Sequence, residues 1–239
     1  MCSNENSCLG VPLQYSHLRS YMSIPKIIHQ TFKTDKLPFI TRWHISRFRK
    51  RNPEYAYEFY DDNRVANFIQ EHFDEDVFTQ YERLNIGAAK ADFFRYALML
   101  KKGGVYIDVD SAINSRLDDF ILPGDVAVIS REYNYDFFVQ WALIYEPGHP
   151  FMQNTLDIVL ENIRNNSYPH DVHKMTGPQA YSAAVKACLA ENESIPYRLL
   201  GHDYNNHLRF KFPLNKLMYT NREEHWKKKQ IKSTVLKSV

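Results

Sequence analysis

Residues 86–110 constrain the fold more than any other stretch. Ala89, Phe93, Tyr96, Ala97 and Leu100 recur at helical spacing and predict a helix over 86–102. Gly103-Gly104 stops it, because glycine enters left-handed backbone conformations without steric cost. Val105-Tyr106-Ile107-Asp108-Val109-Asp110 then reads as a strand. A helix, a glycine stop and an apolar strand in direct succession form the repeating unit of an α/β layered domain. Strand side chains alternate, so Asp108 and Asp110 fall on one face with Cα atoms roughly 6–7 Å apart. Val105, Ile107 and Val109 take the other face, toward the core.

The rest of the chain fits that class. Strands are predicted at 26–32, 55–60 and 126–130, and helices at 38–50, 63–73, 150–164 and 178–190. In the first of these helices Trp43, Ile45 and Phe48 form the expected apolar set. Neither an internal repeat nor a Pro- or Ser-rich linker divides the sequence. Residues 24–222 are therefore expected to form a single domain, preceded by a flexible leader (1–23) and followed by a basic tail (223–239).

Composition removes several functions. The eight glycines never form G-x-G, and none makes a phosphate loop ending in Gly-Lys-Ser/Thr or a G-x-S-x-G elbow. A nucleotide would have to be bound by another route. The longest mainly apolar run, 137–145, is interrupted by Gln140 and is far short of the roughly 20 residues that span a bilayer. The first residues lack a signal-peptide core, and three cysteines make no disulfide framework, so a cytoplasmic chain is expected. Thirty basic residues against 28 acidic leave a net charge of +2. That near-neutrality hides an acidic body and basic residues concentrated after position 208. The expectation is a peripheral contact of the tail with the inner face of a membrane. Nucleic acid is not expected as a partner.

Two pairs of charged residues carry the chemistry. Asp108 and Asp110 end an apolar strand, at the edge where open α/β sheets bind ligands. Paired carboxylates there repel unless a cation sits nearby, and hard oxygen donors in that number suit Mg²⁺ or Mn²⁺ with positions left for phosphate oxygens. Upstream, Asp92 and Arg95 stand at i and i+3 among Ala88, Ala89, Ala91, Phe93, Phe94, Tyr96 and Ala97. A charge pair in such apolar surroundings must be satisfied by partners or by a ligand.

Three blocks in order now carry a resemblance: 24–32 (Ile-Pro-Lys-Ile-Ile-His-Gln-Thr-Phe), 89–96 (Ala-Lys-Ala-Asp-Phe-Phe-Arg-Tyr) and 103–110 (Gly-Gly-Val-Tyr-Ile-Asp-Val-Asp). The chain resembles glycosyltransferase family 32, whose sugar-binding region contains a DXD motif and which includes initiating mannosyltransferases and capsule and lipopolysaccharide enzymes. The resemblance implies a GT-A fold, a Rossmann-like mixed sheet flanked by helices, with a nucleotide-sugar half (24–125) and an acceptor half (126–222). It implies a metal-dependent, anomer-retaining transfer of a hexose from a UDP- or GDP-linked donor to a glycan or glycolipid acceptor, in surface polysaccharide synthesis. By similarity Ile28, His29, Gln30 and Thr31 lie against base and ribose, and Asp92 and Arg95 hold donor hydroxyls. Tyr106 lines the donor site, Asp108 contacts ribose or sugar and helps place Mn²⁺ or Mg²⁺, and Asp110 binds the metal directly. His225 is a further ligand candidate, and Thr176, Gly177, Pro178 and Trp141 shape the acceptor side. Tyr133, Tyr135, Phe137 and Phe138 are further candidates for acceptor contacts. The chain departs from the pattern at Phe32, where Trp is usual, at Ala91, where Ser is common, and after His225-Trp226, which runs into three lysines. The competing readings are a metal-dependent nucleotide-sugar hydrolase or phosphotransferase and a non-catalytic sugar-nucleotide-binding module.

Overall fold

A computed structural model of the chain describes residues 23–133, 136–212 and 233–237. Its centre is a six-stranded mixed sheet in the order β2-β1-β3-β6-β5-β7. These strands are β1 (Ile27–Thr31), β2 (Ala56–Tyr60), β3 (Gly104–Ile107), β5 (Ala127–Ser130), β6 (Ala142–Tyr145) and β7 (Arg198–Leu200). β1 pairs parallel with β2 and β3, β6 runs antiparallel to both β3 and β5, and β5 pairs parallel with β7. A two-stranded antiparallel sheet joins β4 (Ala112–Ile113) to β8 (Leu208–Arg209).

Helices cover both faces. One core holds Phe93, Phe94 and Tyr96 of α4 (Gly87–Lys102) with Tyr106, Leu143 and Tyr145 of the sheet. To it α5 (Pro150–Arg164) adds Phe151 and Val159, and α7 (Pro178–Glu191) adds Tyr181. The opposite core holds Ile28, Val105, Ile107 and Ile144 with Ile45 and Phe48 of α1 (Phe39–Arg51). Alternation along β3 sends Tyr106 to one core and its neighbours to the other, so the strand is buried on both sides. Burying one such large side chain is worth about 1.5–3 kcal/mol.

The glycine stop is a packing requirement as well as a turn. Gly103 and Gly104 have φ of +61° and +96°. A Cβ on Gly103 would lie 2.6 Å from the Pro147 nitrogen, and one on Gly104 would lie 2.8 Å from the Ile27 carbonyl. Any side chain there would push β3 away from its neighbours.

The structure differs from the sequence expectations in several places. β3 ends at Ile107, three residues early, because its partner β6 begins at Ala142 and the pairing runs out. Asp108 still donates its N–H to the Trp141 carbonyl (2.8 Å), after which the chain turns, with Ser111 N–H on the Asp108 carbonyl (2.9 Å). Trp43 leaves the expected apolar set and is 43% exposed, since the buried stripe of α1 is Thr41, Ile45 and Phe48. The sequence pattern assigns no element to 75–83, where α3 (Glu75–Arg83) starts on an Asp74 cap that accepts the Val77 N–H. Between them α2 (Asp62–His72) follows β2, and α6 (Val172–Met175) precedes α7.

Residues 203–206 form a left-handed turn in which Asp203, Tyr204, Asn205 and Asn206 have φ of +47°, +55°, +58° and +65°. This conformation costs a non-glycine residue about 1–2 kcal/mol. Of the basic tail, the described end packs on the body: Val235 and Leu236 are buried and Lys237 Nζ lies 3.6 Å from Glu82 Oε2. No helix among the described residues is long and apolar enough to cross a membrane.

Candidate active site

The end of β3, the inner face of α4 and the segment before β6 converge on one buried charge network. Arg95 is its hub. Its Nη2 lies 2.9 Å from Asp108 Oδ1 and 3.3 Å from Asp92 Oδ1. Its Nη1 donates to the Gln140 carbonyl (3.0 Å) and to Gln140 Oε1 (2.9 Å), and its Nε donates to the Ala91 carbonyl (3.4 Å). The guanidinium thus donates three hydrogen bonds and pairs by charge with both carboxylates. Tyr106 lies under the guanidinium, 4.9 Å from ring centre to Cζ, and its hydroxyl donates to Asp108 Oδ1 (3.0 Å).

Asp92 is just as fully engaged. Gln140 Nε2 donates to its Oδ1 (2.8 Å) and Thr176 Oγ1 to its Oδ2 (3.0 Å). Burial pushes its carboxyl up to about 6, against the pull of Arg95. Burial also raises Asp108, with Arg95, the Tyr106 hydroxyl and Lys211 pulling the other way. Two carboxylates on one cation leave the network negative, and Asp110 adds to it, countered by Lys211 Nζ at 4.0 Å. The site therefore attracts positive charge at the tip of β3.

That tip opens into a cleft of about 1410 Å³. Of the residues predicted from sequence, Thr31, Asp92, Arg95, Tyr106, Asp108, Asp110, Trp141 and Pro178 line it. Ile28, His29 and Gln30 do not. Ile28 is core, and His29 sits against the Gly103 carbonyl (Nε2 to oxygen 3.1 Å), with burial pushing its pKa down to about 4. Gln30 accepts the Tyr57 hydroxyl (3.0 Å) and reaches the Asp108 carbonyl (3.4 Å), so it stands behind the strand tip. Thr176 is buried behind Asp92, and its carbonyl accepts the Tyr96 hydroxyl (2.9 Å). Gly177 packs where a Cβ would come within 2.8 Å of His173 Cα. Phe138 is buried, whereas Tyr133 is 82% exposed on the cleft wall. His225 and Tyr135 lie outside the described residues.

Sequence reasoning missed Gln140, which ties Asp92, Arg95 and the Tyr96 hydroxyl (2.8 Å) together. Its signal was present, as the one polar residue interrupting the apolar run 137–145.

The donor set suits a hard divalent cation. Asp108 Oδ2 has no hydrogen-bond partner among the described residues, and its carboxylate is one-quarter exposed on the cleft that Asp110 also lines. No group of three or more His, Cys, Asp and Glu is assembled for a metal among those residues. The chain would supply two carboxylates and leave the remaining positions to phosphate and water, the arrangement Mg²⁺ commonly adopts.

A mixed sheet covered on both faces, with two carboxylates at a strand end in a cleft, is the GT-A architecture, and the comparisons agree. Residues 41–127 match the glycosyltransferase sugar-binding region containing DXD motif. An uncharacterized glycosyltransferase, L373, of Acanthamoeba polyphaga mimivirus is 27% identical over 186 residues, 76% of this chain and 72% of that protein. Inositol phosphoceramide mannosyltransferase 3 of Schizosaccharomyces pombe is 29% identical over 160 residues, 65% of this chain but only 43% of that protein. The UDP-bound glycosyltransferase domain from the YGT toxin superposes with a TM-score of 0.53 at 11% identity, covering 84% of this chain and 88% of that one. The chain is a glycosyltransferase. Its residues 41–127 are similar to the DXD sugar-binding region, and the relatives named as mannosyltransferases are of the type classed as glycosyltransferase family 32.

Proposed function

We propose that the protein transfers a hexose, with retention at the anomeric carbon, from a UDP- or GDP-linked donor to a polyhydroxylated acceptor on a glycan or glycolipid, and that the transfer needs Mn²⁺ or Mg²⁺. The observation that carries this reading is the pair Asp108 and Asp110 at the β3 tip, opening on a cleft large enough for a nucleotide sugar. The mannosyltransferase named among the relatives supports hexose transfer, and the bound UDP of the toxin domain supports a nucleotide donor.

Asp108 and Asp110 would hold the metal. When bound, it neutralises the leaving diphosphate, a Lewis-acid contribution worth several kcal/mol in the transition state. The other roles belong to the chain. Arg95 pairs with Asp92 and Asp108 and is held by Gln140, so it orients the two carboxylates and favours their ionised form. Asp92 presents a fixed acceptor edge to donor hydroxyls. Its two oxygens are already held, so it is a poor nucleophile, which favours substitution on the face the diphosphate leaves. The C1–O bond breaks toward the diphosphate, the acceptor oxygen bonds to C1, and the acceptor proton passes to a departing phosphate oxygen.

The test is a screen of UDP- and GDP-hexoses for slow hydrolysis with Mn²⁺, followed by transfer. One donor should be turned over and lose that turnover in EDTA. Equal turnover in EDTA, or release of phosphate in place of sugar, would contradict the proposal.

A further inference from the structure

The donor reading uses one wall of the cleft. Another stretch of its lining, formed by Glu132, Tyr133, His202 and Asp203, has no role in that reading. The left-handed turn at 203–206 builds this stretch. Aspartate and asparagine tolerate that backbone, but Tyr204 is bulky and at φ +55° is a genuine outlier. Such outliers persist where surrounding structure over-determines them, and they cluster at ligand-binding sites. Here the surroundings are explicit. The Tyr204 ring is buried, its hydroxyl donates to the Ala142 carbonyl (2.7 Å), and its N–H donates to Ser130 Oγ (3.1 Å). With Tyr204 anchored in the core, His202 and Asp203 are left on the cleft wall.

The chemistry of the wall selects its ligand. His202 Nε2 lies 3.3 Å from Asp203 Oδ2, while His202 Nδ1 is buried with no hydrogen-bond partner among the described residues. Burial raises the Glu132 carboxyl, and Asp203 nearby raises it further. Tyr133, 82% exposed, stands edge-on to His202 at 5.3 Å. Phe210, 46% exposed and packed on Trp141 at 5.5 Å, links this wall to Lys211 and Asp110. Two carboxylates reject an anion, and these groups do not assemble a metal site. Carboxylates that accept hydroxyl protons, beside exposed aromatic faces that take C–H surface, suit a neutral polyhydroxylated ring.

We propose that Glu132, Tyr133, His202 and Asp203 form the acceptor subsite, which binds a sugar or cyclitol ring and presents its attacking hydroxyl across Trp141 to the donor at Asp108 and Asp110. The proposal rests on the transfer reading above. It moves the acceptor side away from Thr176 and Gly177, which lie behind the cleft lining.

The test uses the full chain with Mn²⁺, the nucleotide sugar it hydrolyses fastest, and methyl α-mannoside, methyl β-glucoside, methyl β-galactoside or myo-inositol as acceptor. Transfer and hydrolysis are measured together. Asp203→Asn and Glu132→Gln should raise the acceptor KM about tenfold and lower the ratio of transfer to hydrolysis about as much. Tyr133→Ala, at a side chain too exposed to disturb folding, should lower the same ratio about threefold. Glycosides and inositol as separate arms tell a sugar ring from a cyclitol. Wild-type KM and ratio in all three variants would overturn the proposal. So would wild-type hydrolysis with no transfer to any of these rings. Absence of both hydrolysis and transfer from every nucleotide sugar would instead remove the donor reading itself.

Discussion

The two walls of the cleft are built in opposite ways. Around Arg95 the polar groups are engaged: the guanidinium pairs with two carboxylates and donates to Gln140 and Ala91, and both Asp92 oxygens and the Gln140 amide have partners within the protein. Around Asp203 the backbone is strained, the aromatic ring of Tyr133 faces solvent, and His202 Nδ1 has no hydrogen-bond partner among the described residues. The first wall is preorganised before any ligand arrives, which is what stabilising charge in a transition state requires. The second is held in place by Tyr204 but waits for hydrogen-bond partners. Its specificity would come from what fills it.

The largest effect should come from the preorganised wall. Asp110→Asn keeps the shape and removes one charge, and transfer should fall by about 100-fold or more even with excess Mn²⁺. Near-wild-type turnover in a folded variant would sink the metal-ligand role. Gln140→Leu comes next. It strips partners from Asp92 and Arg95 together, and leaving buried polar groups unsatisfied costs about 1–3 kcal/mol each. Urea unfolding should show that loss, with transfer lowered by roughly 10-fold or more. Unchanged stability would mean that the network rearranges freely and is not preorganised.

The pH response is a smaller effect with a definite sign. The folded Asp92 carboxyl titrates near 6, above its unfolded value, so this group's contribution to stability falls as pH rises from about 4 to 6 and is level above that. His29 acts oppositely. Its folded pKa near 4 lies below the unfolded value, so its contribution rises across about pH 4–6.5. Replacing His29 with Asn, which can still donate to the Gly103 carbonyl, should remove the rising component and leave a steeper fall between pH 4 and 6. An identical pH profile of unfolding would contradict the lowered His29 pKa. The smallest effect is expected away from both walls: Trp43→Ala on the outer face of α1 should change stability by about 0.5 kcal/mol or less.

What was legible in the sequence was local. The α4 helix, its glycine stop and the β3 strand follow from periodicity and from two adjacent glycines within a single short segment. Asp92, Arg95, Asp108 and Asp110 emerge from the same segment, because charges in apolar surroundings stand out. Gln140 was visible as an interruption but not as a partner, since 48 positions separate it from Asp92 and only the antiparallel insertion of β6 brings it there. The buried positions of Ile28, His29 and Gln30 follow from pairing on both sides of β1, which a strand's own pattern does not reveal. Trp43 was misplaced for a related reason: helical spacing admits more than one stripe, and packing chose Thr41, Ile45 and Phe48. The wall around Asp203 was the least legible part. An Asp-Tyr-Asn-Asn run marks a turn, but four successive left-handed residues depend on a core that accepts Tyr204.

The central claim is that Asp108 and Asp110 bind a nucleotide through a divalent cation. Calorimetric titration of UDP and of GDP, each with Mn²⁺ and with EDTA, into the wild type and Asp110→Asn tests it most directly. The account predicts that Mn²⁺ tightens one of the two nucleotides by about tenfold or more in the wild type and does little in the variant. Equal wild-type affinity with and without metal for whichever nucleotide binds would contradict it.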